Sequence, residues 1–156
     1  MLGKYLKRDW PNSLRAKAGS FLGYGCHNLD TSILLDAYEK RGVNGEITLK
    51  LILKLIKEEA IIILSDLHIK ELKDLNYSLN EINAIFQMFK LGEIKRVHIN
   101  RNNLKESKQL ASQKNIPKGD VLHAIISRDN DAIMISRDKH FKLLRFIETK
   151  MPKDLL

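Results

Sequence analysis

An α/β fold with a mostly parallel central sheet follows from three features of the sequence. Short apolar or β-branched runs alternate with helical repeats from Gly25 onward, each run is the length of one buried strand, and turn or cap residues punctuate them. Strands joined through helices pair in parallel, and the helices then cover both faces of the sheet. A chain of 156 residues suits a single domain. At that size about 68–70% of the unfolded chain's surface is buried, so the core needs neither disulfides nor a structural metal.

The elements read in order as follows. A short extended stretch, the least apolar of the strands, precedes Asp30. In TSILLDAYEKRG (31–42), Ile33, Leu34, Ala37 and Tyr38 recur at helical spacing, and Gly42 is the expected stop. A second helix is expected over 46–59 from Ile47, Leu51 and Leu55, followed by the strand AIIIL (60–64). Ser65-Asp66 marks another switch from strand to helix, continued by Leu67, Ile69 and Leu72. Ser78 and Glu81 match a capping box ahead of Ile82, Ile85, Phe86 and Phe89. IKRVHI (94–99) alternates as a strand does. A helix is expected over 103–114, and Pro117 opens the next, whose apolar face is Val121, Leu122, Ile125 and Ile126. Residues 132–135 form a buried strand, Asp138 starts a turn, and Phe141, Leu144 and Arg145 continue helically.

No linker or internal repeat divides the chain. Residues 1–24 are basic, contain Trp10-Pro11 and lack periodicity, and are read as an N-terminal arm; 25–150 form the α/β domain and 151–156 a C-terminal tail. The longest apolar run is AIIIL, far below the roughly 20 residues that cross a bilayer, so a cytoplasmic protein without a membrane partner is expected. Cys26 is the only cysteine and cannot form an intrachain disulfide.

Charge indicates a partner. Lys plus Arg number 27 against 19 Asp plus Glu, a formal charge of +8. From Lys95 to Lys118 there are seven basic residues against Glu106 alone, and from Arg137 to Lys153 six against Asp138 and Glu148. Such clusters attract phosphates. A solvated Lys-rich surface is the alternative, and charge alone leaves the two evenly balanced.

Within this basic chain, four acids fall at strand ends or in the opening turns of helices: Asp30, Glu71, Asp120 and Asp138. Singly, each reads as a helix cap. Together at one edge they repel, and a divalent cation is the usual neutraliser. Oxygen ligands favour Mg²⁺ or Mn²⁺, and the five histidines show no HExxH or Cys/His spacing for zinc. Walker-type, GxGxxG and GxSxG sequences are also missing, which disfavours nucleotide hydrolases, dinucleotide enzymes and serine hydrolases. An acidic metal pocket in a basic surface suits phosphodiester chemistry.

Three stretches carry a resemblance: NLDTSILLDAYEK (28–40), SDLHIKEL (65–72) and IPKGDVLHAIISRDNDAIMISRDKHF (116–141). Over roughly 26–147 the sequence resembles the PIN domain family of metal-dependent ribonucleases. The last block is the most specific, with an Asp opening a helix, His-Ala three positions on, and a strand ending in Ser-x-Asp-x-x-Phe. The resemblance implies a three-layer α/β/α sandwich with Asp30, Glu71, Asp120 and Asp138 as catalytic and metal-binding residues for Mg²⁺ or Mn²⁺. It implies RNA as substrate, and either a VapC-type toxin with an antitoxin partner or an RNA-processing nuclease, in a homodimer.

On that basis Asp30 and Asp138 are expected to hold the principal metal, with Asp120 sharing it or holding a second, and Glu71 coordinating or orienting the attacking water. Thr31, Ser32 and Ser136 are the expected supporting donors to the carboxylates. Lys118, Arg137 and Lys139 are the expected contacts to RNA phosphates, while Asp36 reads as solvated and Asp129 and Asp131 as turn residues. The rival from another class is a catalytically silent PIN-like RNA-binding or assembly module. A receiver-like phosphoacceptor domain is disfavoured, because Arg137 stands where such a domain needs a lysine.

Overall fold

The structure, a computed structural model, describes residues 25–156; the expected arm at 1–24 lies outside the described residues. Strand β1 (Cys26–Leu29) leads through helices α1 (Thr31–Tyr38) and α2 (Gly42–Lys57) to β2 (Ile61–Ser65). Helices α3 (Asp66–Asp74) and α4 (Leu79–Gln87) lead to β3 (Glu93–Val97), and α5 (Arg101–Lys114) and α6 (Lys118–Asp129) to β4 (Ala132–Ile135). A 3₁₀ helix at Lys139–Leu143, strand β5 (Thr149–Lys150) and a 3₁₀ turn at Pro152–Leu155 follow.

Every strand pair is parallel, and the order across the sheet is β3-β2-β1-β4-β5. The chain winds outward from β1 to β3, then returns across the sheet to build β4 and β5 on the far side of β1. The reversal falls between β1 and β4, and such a reversal leaves a crevice beyond the carboxyl ends of the two strands.

Alternation within β2 divides the core. Ile62 and Leu64 face one helical layer, where α1, α2 and α4 supply Ile33, Leu34, Leu51, Leu55, Ile82 and Ile85. Ile63 faces the other, against Leu122 and Ile126 of α6. Helix α3 spans the two, with Leu72 in the first cluster and Leu67 in the second. The result is an α/β/α sandwich. Each fully buried Ile or Leu contributes about 1.5–3 kcal/mol. The polar character of β1 has a use here: buried Asn28 donates to the His123 carbonyl at 3.2 Å and to Ser127 Oγ at 3.0 Å, fastening the strand to α6.

Several boundaries differ from the sequence expectation. Helix α1 ends at Tyr38, and Gly42, expected as its stop, is the first residue of α2, with φ +56°. The reversal between them uses positive φ at Lys40 and Gly42, and a Cβ at Gly45 would sit 2.6 Å from the Asp36 carbonyl oxygen, so glycine is what lets the helices close up. The expected helix after Asp138 is a single 3₁₀ stretch. Strand β5 was not anticipated, since two residues carry no periodicity; it is held by Met134 N–H to the Glu148 carbonyl at 2.9 Å and Ser136 N–H to the Lys150 carbonyl at 3.0 Å. Residues 151–156, expected as a tail, fold back on α2, where Lys54 Nζ donates to the Leu155 carbonyl at 2.6 Å.

Candidate functional site

The crevice at the β1–β4 reversal receives all four acids named above. Asp30 follows β1 and is the N-cap residue of α1, yet its side chain caps nothing. Its carboxylate instead accepts a hydrogen bond from Ser136 Oγ at 2.8 Å, and the residue is only 8% exposed. Ser136 follows β4, and the same hydroxyl accepts the Asp138 N–H at 2.9 Å. One serine thus ties together the ends of the two strands that flank the reversal. Asp138 Oδ1 accepts the His140 N–H at 2.9 Å, a cap on the 3₁₀ helix that turns the His140 ring toward the acids. His140 Nδ1 lies 3.0 Å from Asp120 Oδ2, in the first turn of α6, and 3.1 Å from Asp138 Oδ1.

Glu71 reaches the crevice from α3. The first turn of that helix is locked by His68, whose Nδ1 accepts the Ser65 N–H at 3.0 Å and whose Nε2 donates to the Leu29 carbonyl at 2.6 Å. Glu71 lies three residues further along the same helix. Its Oε1 is 2.5 Å from His123 Nε2, which is also 3.9 Å from Asp30 Oδ1. A Cβ at Gly119 would meet Glu71 Oε1 at 4.0 Å, which places the carboxylate beside the start of α6.

The acids therefore form two pairs, each with an imidazole. Asp30 and Glu71 share buried His123, whereas Asp120 and Asp138 share the more open His140; Ser136 links the pairs. The ligating atoms of Asp120, Asp138 and His140 lie within 4.8 Å of one another. Asp30 and Glu71 stand outside that closest group.

Electrostatics follow burial. His123 is fully buried, which lowers its proton affinity, but Glu71 and then Asp30 and Asp120 outweigh burial and raise its pKa. His68, with its ring centroid 5.1 Å away, is pushed the other way, down to about 3, by burial first and by the His123 charge second. The two buried rings, tilted by 50° to each other, are thus shifted in opposite directions. Asp120 has a raised pKa, chiefly from burial, with Asp138 and Asp30 adding repulsion and His140 opposing it. His123 Nε2 and Glu71 Oε1 are each other's close partner at 2.5 Å, although their alignment is poor for a hydrogen bond.

The remaining expected residues are distributed unevenly. Thr31 is buried, with no hydrogen bond at Oγ1, while Ser32 is exposed. Lys118 and Lys139 are exposed beside the acids in sequence. Arg137 is engaged by Asp36, and here the expectation of a solvated Asp36 is corrected: the residue is 2% exposed and pairs with Arg137 and, at 3.8 Å, with Arg41. Its partner Arg137 lies in the loop that follows β4. Asp129 accepts from Asn103 Nδ2 at 3.0 Å, and Asp131 takes φ +50° in a turn.

Sequence reasoning missed His123, His140 and the Asp36–Arg137 pair. Two of these carried a signal. Asp120 and His123 are spaced i, i+3 on a helix and so share a face. Asp138 and His140 are spaced i, i+2 in a capped turn, where the side chain of the first residue binds the backbone of the third.

Four carboxylates with one accessible imidazole make an oxygen-rich donor set of the kind hard divalent cations take. Asp120, Asp138 and His140 fit that reading, because their ligating atoms lie within 4.8 Å of one another. The family profile of the PIN domain matches residues 28–147. The chain belongs to the PIN domain family. Its PIN fold is similar to that of VapBC2 from Rickettsia felis, solved bound to a DNA fragment from their promoter, with TM-score 0.61 and 18% identity over 81% of this chain and 98% of that one. It is also similar to VapBC-1 from nontypeable Haemophilus influenzae, with TM-score 0.59 and 15% identity over 82% of this chain and 98% of that one. Comparison with curated protein sequences finds no match. Among the described residues of this PIN domain, no helix is long and apolar enough to cross a membrane.

Proposed function

We propose that this PIN domain is a metal-dependent ribonuclease that hydrolyses RNA phosphodiester bonds, and that it acts as the VapC-like toxin of a toxin–antitoxin pair. The observation that supports it most is the gathering of Asp30, Glu71, Asp120 and Asp138 around one crevice at the strand reversal of a PIN fold. Asp30 and Asp138 would hold Mg²⁺ or Mn²⁺, with Asp120 sharing it or holding a second ion. The bound cation supplies the charge that activates water and stabilises the leaving oxygen. Ser136 fixes the Asp30 carboxylate against the backbone of Asp138. Glu71, paired with His123 at 2.5 Å, would coordinate the ion or orient the attacking water. Lys118 and Lys139 contact the RNA backbone, while Arg137, held on Asp36, adds to the field. The seven basic residues between Lys95 and Lys118 are all exposed, as a phosphate-binding surface requires.

The proposed partners are RNA, an antitoxin protein and a second copy of the chain. Labelled RNA and DNA oligonucleotides incubated with Mg²⁺, Mn²⁺ or EDTA test the activity. Cleavage of RNA by the wild type that is lost with EDTA and in Asp30→Asn is the expected result. Salt-sensitive RNA binding without cleavage, together with a wild type that retains no Mn²⁺, would replace the nuclease with a silent binding module.

A further inference from the structure

We propose that His140 is a direct ligand of the metal, through Nδ1, and that this nitrogen donor tunes the site toward Mn²⁺ and away from Mg²⁺. The inference rests on the metal dependence proposed above and concerns a residue outside the acid quartet. Three observations carry it. First, Nδ1 lies 3.0 Å from Asp120 Oδ2 and 3.1 Å from Asp138 Oδ1. Neighbouring ligands of an octahedral ion with bonds of 2.0–2.1 Å are about 3 Å apart, so Nδ1 stands at the spacing of a shared coordination edge from each acid, and all three ligating atoms lie within 4.8 Å of one another. Second, the ring is 46% exposed and, among the described residues, makes its polar contacts through Nδ1 to these acids. The Asp138 cap on the His140 N–H sets that direction before any ion arrives. Third, on the inner side of the same acids, His123 is fully buried and already taken up by Glu71 Oε1 at 2.5 Å, so of the two imidazoles among the acids His140 is the one open to an ion.

An imidazole in place of one carboxylate or water changes which ion is preferred. Mg²⁺ favours all-oxygen surroundings, whereas Mn²⁺ accepts a nitrogen at little cost and later transition ions gain from it. A histidine serving only as counter-charge behaves in the opposite way: it competes with the cation, and its removal strengthens binding of both ions.

The test uses the full chain, loaded with Mn²⁺ or Mg²⁺ alone, as wild type, His140→Ala and Asp138→Asn. The expected result is nitrogen hyperfine modulation in the pulsed EPR spectrum of Mn²⁺ bound to wild type, absent in His140→Ala. Mn²⁺ affinity falls in that variant by more than the roughly 10–100-fold that loss of an outer-sphere partner costs, and Mg²⁺ affinity falls less. Mn²⁺ that binds wild type, is lost in Asp138→Asn and yet shows no nitrogen coupling would overturn the ligand role while leaving the acid site standing. Tighter binding of both ions to His140→Ala would also overturn it, in favour of a counter-charge. Failure of wild type to retain Mn²⁺ at all would remove the metal reading itself.

Discussion

The inner half of the crevice, Asp30 and Glu71 around His123, and the outer half, Asp120 and Asp138 around His140, use the same chemistry in different surroundings. Inside, the imidazole is fully buried and its pKa is raised by the acids it serves. Outside, the ring is nearly half exposed and water shares the work of solvating it. The difference teaches how one site can combine a fixed frame with an exchangeable one. Removing a partner from a buried pair strands the other charge, and removing one from an exposed pair costs little.

The largest expected effects are on catalysis. Asp30→Asn inside and Asp138→Asn outside should each lower RNA cleavage by more than the roughly 10–100-fold that loss of an outer-sphere partner costs, as initial rates at saturating metal will show. Equal loss in both halves would confirm a shared centre, and unequal loss would rank them.

The same substitution in each half sharpens the contrast. His123→Gln should destabilise the fold by about 1–3 kcal/mol, the range for stranding a buried polar partner, discounted because Glu71 is a third exposed. His140→Gln should stay within about 0.5 kcal/mol of wild type. Urea denaturation of the two variants measures this directly, and similar values for both would break the distinction between frame and exchangeable edge.

A third substitution bears on what supports the outer half. Arg137→Met leaves Asp36 buried with only Arg41 at 3.8 Å, and about 2 kcal/mol of stability should be lost. The double variant Asp36→Leu/Arg137→Met should recover most of it, because no charge is then stranded. If recovered stability comes without recovered cleavage, the pair also positions the loop that carries Ser136 and Asp138.

A pH dependence follows as well. Burial lowers His27 to about 4 and His68 to about 3, both below the ordinary histidine value of 6.5. The unfolded chain therefore binds more protons than the folded one between those values, so stability is complete above about pH 6.5 and declines as pH falls toward 4. His123, raised instead, contributes in the other direction: its share is full below 6.5 and is lost as pH rises through its folded pKa. Thermal melts should fall on acidification, and His27→Leu should flatten that limb.

Much of the fold was legible in residue patterning, and the reasons are local. AIIIL and the apolar residues 132–135 are strand-length runs that only a sheet buried on both faces explains, and Ser78 with Glu81 formed the capping box their spacing announced, with bonds of 3.2 and 3.4 Å. The PIN fold came from the last sequence block. Gly42 misled because a glycine that stops one helix and a glycine that opens the next look alike in sequence. Asp36 misled for a stronger reason: helical phase tells which way a side chain points, not what lies there, and its partner Arg137 is a hundred residues further along the chain. Among the site residues, the four acids announced themselves at strand ends. His123 and His140 did not, since their function depends on which acids the strand reversal brings beside them.

The central claim is that the inner and outer halves make one metal centre. Titration of Mn²⁺ into wild type, Asp30→Asn and Asp138→Asn, read by the loss of the free-ion EPR signal, tests it most directly. One centre predicts that either substitution weakens the same tight-binding event. Undiminished tight binding in Asp30→Asn, with loss only in Asp138→Asn, would mean that the outer group binds its ion alone and that the buried half is frame and nothing more.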